Sequence, residues 1–271
     1  MVSNKLLEWQ HIIKFKVQIS KFKVKSNHKV QSSNLKVQSK LKALLSSTYF
    51  GPIQWYQKLN RYDECLIERH ESFIKQTYRN RMIIPTTNGP LSLTIPTNHN
   101  TSLAMKDIRI SDHANWRHVH WNALLSAYGE SPFFEYYQDD IRPFFEKKYE
   151  FLFDFNMETT EKMIELLDIR PKISITEEYI QGKELKGESE EQDGESEAFD
   201  SIANHKVQSS KFKVQSIVDF RDAIRPKKPL PDAEFAPQRY YQVYEQKYGF
   251  LPNMSILDLL FNEGNEAIFY L

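Results

Sequence analysis

Phe250-Leu-Pro-Asn-Met-Ser-Ile-Leu-Asp-Leu-Leu-Phe-Asn-Glu-Gly264 spells a single helix with both ends marked. Ser255 reads as the N-cap, and Asp258 three residues on completes a capping-box pattern. Pro252 stands before the start and Gly264 just past the end. Ile256, Leu259, Leu260 and Glu263 recur at helical spacing along one face. Three of the four are apolar. Glu263 falls in the last turn, where the helix dipole disfavours an anion. Asp258 is thus accounted for as a cap, whereas Glu263 needs a partner or marks a site.

Working outward, residues 240–248 lead into this helix. Arg225-Pro-Lys-Lys-Pro-Leu-Pro231 is a stiff connector, with a short element at 218–224 before it. The front half is rich in strands. Residues 44–59 read as a short strand, a Gly51-Pro52 turn and a helix carrying Trp55, Tyr56 and Leu59. Strands are expected at 64–68, 78–84, 91–95 and 106–110, with Asn88-Gly89-Pro90 as the turn between the second and third. The middle is helical, at 115–128, 132–145 and 151–167, and a strand returns at 172–176. On the first of these helices Trp116, Val119, Ala123, Leu124 and Ala127 share a face. The expected fold is α+β: one mixed domain over residues 44–271, with a strand-rich front half and a helical middle.

Two segments stand apart from that domain. Residues 1–42 repeat a unit of about seven residues, too short and polar for a solenoid: Lys14-Phe-Lys-Val-Gln, Lys21-Phe-Lys-Val-Lys, His28-Lys-Val-Gln-Ser and Leu35-Lys-Val-Gln-Ser. They hold ten lysines against Glu8 alone. The same words return at His205-Lys-Val-Gln-Ser-Ser-Lys-Phe-Lys-Val-Gln-Ser216. Such units bury too little apolar surface to offset chain entropy, so a disordered basic arm is expected. Identical units at two unrelated places read as translated repetitive sequence at a misplaced start rather than as a nucleic-acid-binding arm. Mass spectrometry of the native amino terminus distinguishes the two. Residues 177–216 form an internal insertion, acidic and then repetitive, also expected to be disordered. Its first part, 177–200, holds ten acids against Lys183 and Lys186, so the formal net charge of +0 is a cancellation.

The chain is 40% hydrophobic and 13% aromatic, enough for a sizeable core. No apolar run reaches the roughly 20 residues of a membrane helix. The lone Cys65 excludes an internal disulfide and a Cys-based metal cluster. A cytoplasmic protein is expected. P-loop, GxGxxG, GxSxG and EF-hand patterns are missing, and no cofactor is named by any motif.

The densest polar group is Lys75, Gln76, Arg79, Asn80 and Arg81. On a strand, Arg79 and Arg81 share one face and Asn80 takes the other. Two guanidinium forks side by side suit a phosphate or carboxylate. The competing reading is a solvated face, or ion pairs to Glu64, Glu68 and Glu71. His118 and His120 lie two apart on a helix and point away from each other, which argues against a shared metal. His120, one turn from Trp116, is either a general base or a hydrogen-bonded core histidine.

These residues resemble one family. Tyr78-Arg-Asn-Arg-Met-Ile83, Trp116-Arg-His-Val-His-Trp-Asn-Ala-Leu-Leu-Ser-Ala-Tyr-Gly129, Ser131-Pro-Phe-Phe-Glu-Tyr-Tyr137 and the 250–264 block are similar to the WbqC-like family. Its members are associated with bacterial O-antigen and surface-polysaccharide gene clusters. The resemblance places the family's Asn-Arg pair on Asn80 and Arg81, its helix histidine on His120, and its closing Asn-Glu-Gly on Asn262, Glu263 and Gly264. The family's His-Gln-Pro start is replaced by Leu45-Ser-Ser-Thr-Tyr-Phe-Gly-Pro52, and a Tyr-Leu-Ser-Gly motif is missing at the insertion. The function implied is a transferase of surface-polysaccharide synthesis, moving an acyl or aminoacyl group to a nucleotide-linked or lipid-linked amino sugar. Lys75, Arg79 and Arg81 would hold the anionic substrate, such as a nucleotide-sugar. His120 would be the base and Glu263 would orient it or the acceptor, with Asn80 and Asn262 on neutral groups, and no metal. The alternative is a non-enzymatic glycan- or partner-binding protein of the same pathway.

Overall fold

In the computed structural model, the chain is described over residues 41–98, 103–181 and 217–271. The arm at 1–42 falls almost wholly, and the insertion at 177–216 mostly, outside the described residues. Those described contain seven α-helices and eight strands in a mixed architecture. They belong to one compact unit, Ser39–Leu271.

The central sheet is parallel. Its strands are β1 (Lys42–Ser46), β2 (Glu64–Glu68), β7 (Ile173–Ile175) and β8 (Ile217–Asp219), in the order β7-β2-β1-β8. Ala43, Leu44 and Leu45 of β1 are all fully buried. A strand covered on both faces reads as a continuous apolar run rather than an alternating one. Helix α1 (Ile53–Arg61) carries the chain from β1 to β2, and β1 pairs with β2 from Lys42↔Glu64 to Ser46↔Glu68. The Trp55 indole donates to the Ser46 carbonyl at 2.9 Å, which ties α1 to the end of β1.

The second sheet is a hairpin, β3 (Arg81–Thr86) and β4 (Gly89–Thr94). Gly89 sits at φ 94°, the positive φ a tight hairpin turn demands. Of the strand expected at 106–110 only Arg109–Ile110 forms (β6), paired with β5 (Thr97–Asn98) and preceded by one 3-10 turn, Met105–Asp107.

The helical layer is α2 (Trp116–Tyr128), α3 (Phe134–Ile141), α4 (Pro143–Glu146) and α5 (Leu152–Leu166). The helix expected over 132–145 is two helices. Pro143 cannot continue the first because it lacks an N–H and its ring clashes one turn back, so it opens the second at N1. On α2 the buried residues are Trp116, His120, Leu124, Ala127 and Tyr128, while Val119 is exposed. Trp116, Leu124 and Ala127 lie buried on the expected face, with His120 rather than Val119 filling the turn between them.

A short helix, α6 (Glu245–Tyr248), precedes the last, α7 (Ile256–Glu263), which locks the β1–α1 turn from outside. Ser255 Oγ donates to the Phe50 carbonyl at 2.7 Å, and the Ile256 N–H donates to the Gly51 carbonyl at 2.9 Å. Gly51 is required there. A Cβ on it would stand 2.4 Å from Thr48 Oγ1.

Candidate functional site

All four strands of the parallel sheet finish at the same edge. From β1 the chain passes to β2 and then β7 on one side, whereas β8 lies on the other side of β1. In open parallel sheets a ligand crevice forms outside the carboxyl ends of the strands, where the order reverses. A cavity of about 410 Å³ occupies that edge here. Its charged wall comes from three places. Asp219 ends β8, and Arg221, Asp222 and Arg225 follow it. Glu71 lies beyond the end of β2, and Arg79 lies in the turns before β3.

Three arginines meet three carboxylates in this space, so the question is which donors are already committed. Arg79 is buried and nearly saturated. Its Nε donates to Glu71 Oε1 at 2.7 Å, Nη2 to Ser46 Oγ at 2.8 Å and to Glu71 Oε2 at 2.5 Å, and Nη1 to Thr77 Oγ1 at 3.2 Å. Ser46 Oγ donates in turn to Glu71 Oε2 at 3.1 Å. This is a closed network that builds the wall.

Arg221 differs. Its Nε and Nη2 engage Asp219, and Nη2 also reaches the Ile180 carbonyl at 3.0 Å. Among the described residues its Nη1 has only an ion pair to Glu68, at 3.8 Å, beyond hydrogen-bond reach. Arg225 pairs with Asp222 through Nη2, while its buried Nε has no partner among the described residues. A guanidinium has five N–H donors and no other use for them. Arg221 and Arg225 therefore keep donors for a ligand at one end of the cavity.

Behind them Glu68, fully buried, accepts from the His70 N–H, the Thr176 hydroxyl and the Ile180 N–H at 2.8, 2.8 and 2.9 Å. That carboxylate ties together the two segments that follow β2 and β7. His70 itself lines the cavity and accepts at Nε2 from Arg69 Nε at 3.2 Å.

The residues expected from sequence scatter. Arg79 reaches the cavity, but β3 starts at Arg81, so the period of two does not extend back to Arg79. Arg81 points along the hairpin, donating to Thr94 Oγ1 at 3.1 Å. Lys75 is exposed and is not part of the cavity lining. Asn80 is buried, its amide donating to the Ile95 carbonyl at 3.0 Å.

His120 is also buried. Its Nδ1 lies 2.9 Å from the Tyr49 hydroxyl, and its ring meets Trp116 edge-on. Burial pulls its pKa down to about 4, only partly offset by a hydrogen bond to the Thr94 backbone. Glu263 accepts from the Tyr241 N–H at 3.0 Å and the Tyr270 hydroxyl at 3.2 Å. These are the partners its position in the last turn called for. None of these contacts joins His120 to Glu263, and neither residue lines the cavity described above.

Asp258 also departs from its expected role. Ser255 does cap α7, its Oγ accepting from the Leu257 N–H at 3.4 Å. The Ser255 N–H, however, donates to the Ile83 carbonyl, not to Asp258. The Asp258 carboxylate turns inward and is fully buried, accepting from the Tyr240 hydroxyl, from Gln242 Nε2 at 2.7 Å and from Asn262 Nδ2 at 3.2 Å. Burial raises its pKa to about 6 against the pull of those donors. Asn262, expected to bind substrate, is part of this network. Of the two histidines on α2, His118 faces out to Asn122 while His120 faces in. They share no metal geometry.

Comparison with known proteins agrees with the residue-level resemblance. The profile of the WbqC-like protein family matches residues 46–270. The chain is 27% identical over 241 residues to the uncharacterized protein Rv1507c of Mycobacterium tuberculosis, covering 86% of this chain and 97% of that one. No solved structure matches.

Proposed function

The chain belongs to the WbqC-like protein family, and on that membership and the arginine-walled cavity we propose a transferase of surface-polysaccharide synthesis acting on an anionic, activated substrate. One observation carries the reading: at the reversal of strand order, Arg221 and Arg225 hold guanidinium donors that have no hydrogen-bond partner among the described residues. Such donors suit a phosphate or carboxylate. Asp219 and Asp222 beside them give an ammonium group its partners, which fits an amino sugar as acceptor of an acyl or aminoacyl group. Arg79 and Glu71 hold the wall in shape.

In this reading His120, buried against Tyr49 and Trp116 and absent from the cavity lining, is a core residue rather than a base exposed to substrate. Thermal-shift measurement of the full chain against a panel of nucleotide-sugars tests it. A ligand that binds only the folded state raises the melting temperature by mass action. A hit lost in Arg225→Gln supports the reading, and a panel that shifts neither protein contradicts it. A non-enzymatic glycan binder of the same pathway is the second reading, favoured by the exposed Tyr179 ring on the cavity wall. A bound nucleotide-sugar that is never turned over, with any amino-sugar acceptor, would select it.

A further inference from the structure

The proposed function leaves open whether the anion belongs to a nucleotide or to a lipid carrier. A diphosphate alone does not fill about 410 Å³, so the remaining lining decides between them. Only Ile74 and Tyr179 bring large apolar surface to that lining, and both are substantially exposed. Tyr179 lies outside any helix or strand, yet it is held. The neighbouring Ile180 donates its N–H to buried Glu68 at 2.9 Å and accepts from Arg221 Nη2 at 3.0 Å. The Arg221 guanidinium covers one face of the Tyr179 ring, 5.2 Å from its centroid. With 51% of the residue exposed, ring surface remains for a ligand. The arginine with free Nη1 donors is thus the same one that sets the aromatic platform.

Resting on the reading of this cavity as the anion site, we infer that its ligand is a nucleoside diphosphate group. The diphosphate lies on Arg221 and Arg225, and the base stacks on Tyr179. Bases of any kind stack on an aromatic side chain, and the guanidinium behind the ring extends the stack. A prenyl chain, in contrast, needs a continuous apolar channel. Eight of the ten lining residues are polar or charged.

Titration calorimetry on the full chain tests this with four probes: UDP, ADP, inorganic diphosphate and farnesyl diphosphate. The nucleoside diphosphates should bind about tenfold tighter than inorganic diphosphate, the gain typical of one stacked base. Tyr179→Ala should erase that advantage while leaving inorganic diphosphate unchanged, and Tyr179→Phe should retain it. Farnesyl diphosphate binding as tightly as UDP, or Tyr179→Ala weakening every probe alike, overturns the nucleotide assignment but leaves an anion site standing. If none of the four binds, both that assignment and the anion site fail.

Discussion

Two regions of this molecule are dense in buried polar groups, and they are built on opposite terms. Around Asp258 the donors converge on one buried carboxylate: Tyr240, Gln242 and Asn262 all reach it. At the carboxyl edge of the parallel sheet three arginines face three carboxylates around a cavity, and two of the arginines retain unused donors. Buried polar groups are normally satisfied, so a carboxylate that gathers the donors around it needs no function beyond specifying the fold. Unused donors on a cavity wall are the informative case.

Breaking a saturated pair should give the largest effect. Arg79→Ala would strand the Glu71 carboxylate in the wall and cost about 3–5 kcal/mol, read by denaturant unfolding. Arg225→Gln, a partly exposed residue with one acidic partner, should cost no more than about 1 kcal/mol. Equal losses from the two would erase the distinction between wall and site.

The next contrast is in pH. His120 stays neutral down to about pH 4 when folded, against 6.5 unfolded. Between those values the unfolded chain binds the proton first. Stability is therefore full above 6.5 and falls, by about 3 kcal/mol, as pH drops to 4. Asp258 runs the other way. It keeps its proton to about pH 6 when folded, against 3.8 unfolded, so its contribution is full below 3.8 and is lost as pH rises through 6. The two slopes oppose each other. In Asp258→Asn only the histidine slope remains, and the melting temperature should fall more steeply from pH 6.5 to 4 than in the unsubstituted chain. Parallel curves would mean Asp258 titrates as an ordinary carboxylate.

The smallest effect is expected at Glu263. Glu263→Gln keeps an acceptor for Tyr241 and Tyr270 and should cost about 1 kcal/mol or less, with ligand affinity unchanged. Loss of ligand affinity in that variant would return Glu263 to the site.

What could be read before the fold was known followed from local chemistry. Ser255 and Gly264 bound α7, and the Asn88-Gly89 turn joins β3 to β4. What could not be read depended on distant partners. The parallel pairing of β1 with β2 and β8 leaves no local mark, because an apolar run looks the same whichever way its neighbour runs. Pro143 was a local signal of the break between α3 and α4, outweighed by the run of rings around it.

At the site, Arg79 stood out as a charge, but its commitment to Glu71 and Ser46 is tertiary. Asp219, Arg221, Asp222 and Arg225 alternate in sign just after β8. That signal was obscured because the strand is three residues long and directly follows the repeats. The carboxylates of α7 departed from their expected roles for the same reason. Tyr240, Gln242 and Tyr241 arrive from an irregular connector that helical periodicity does not describe.

The most direct test titrates UDP into the full chain and into two variants, Arg221→Lys and Asp258→Asn, by calorimetry at pH 7. Arg221→Lys keeps the charge but removes the fork whose Nη1 is free. UDP should bind the unsubstituted chain and the Asp258→Asn variant alike, and Arg221→Lys about tenfold more weakly. Equal binding to Arg221→Lys and the unsubstituted chain, or no binding to either, would contradict the placement of the site at the carboxyl edge of the sheet.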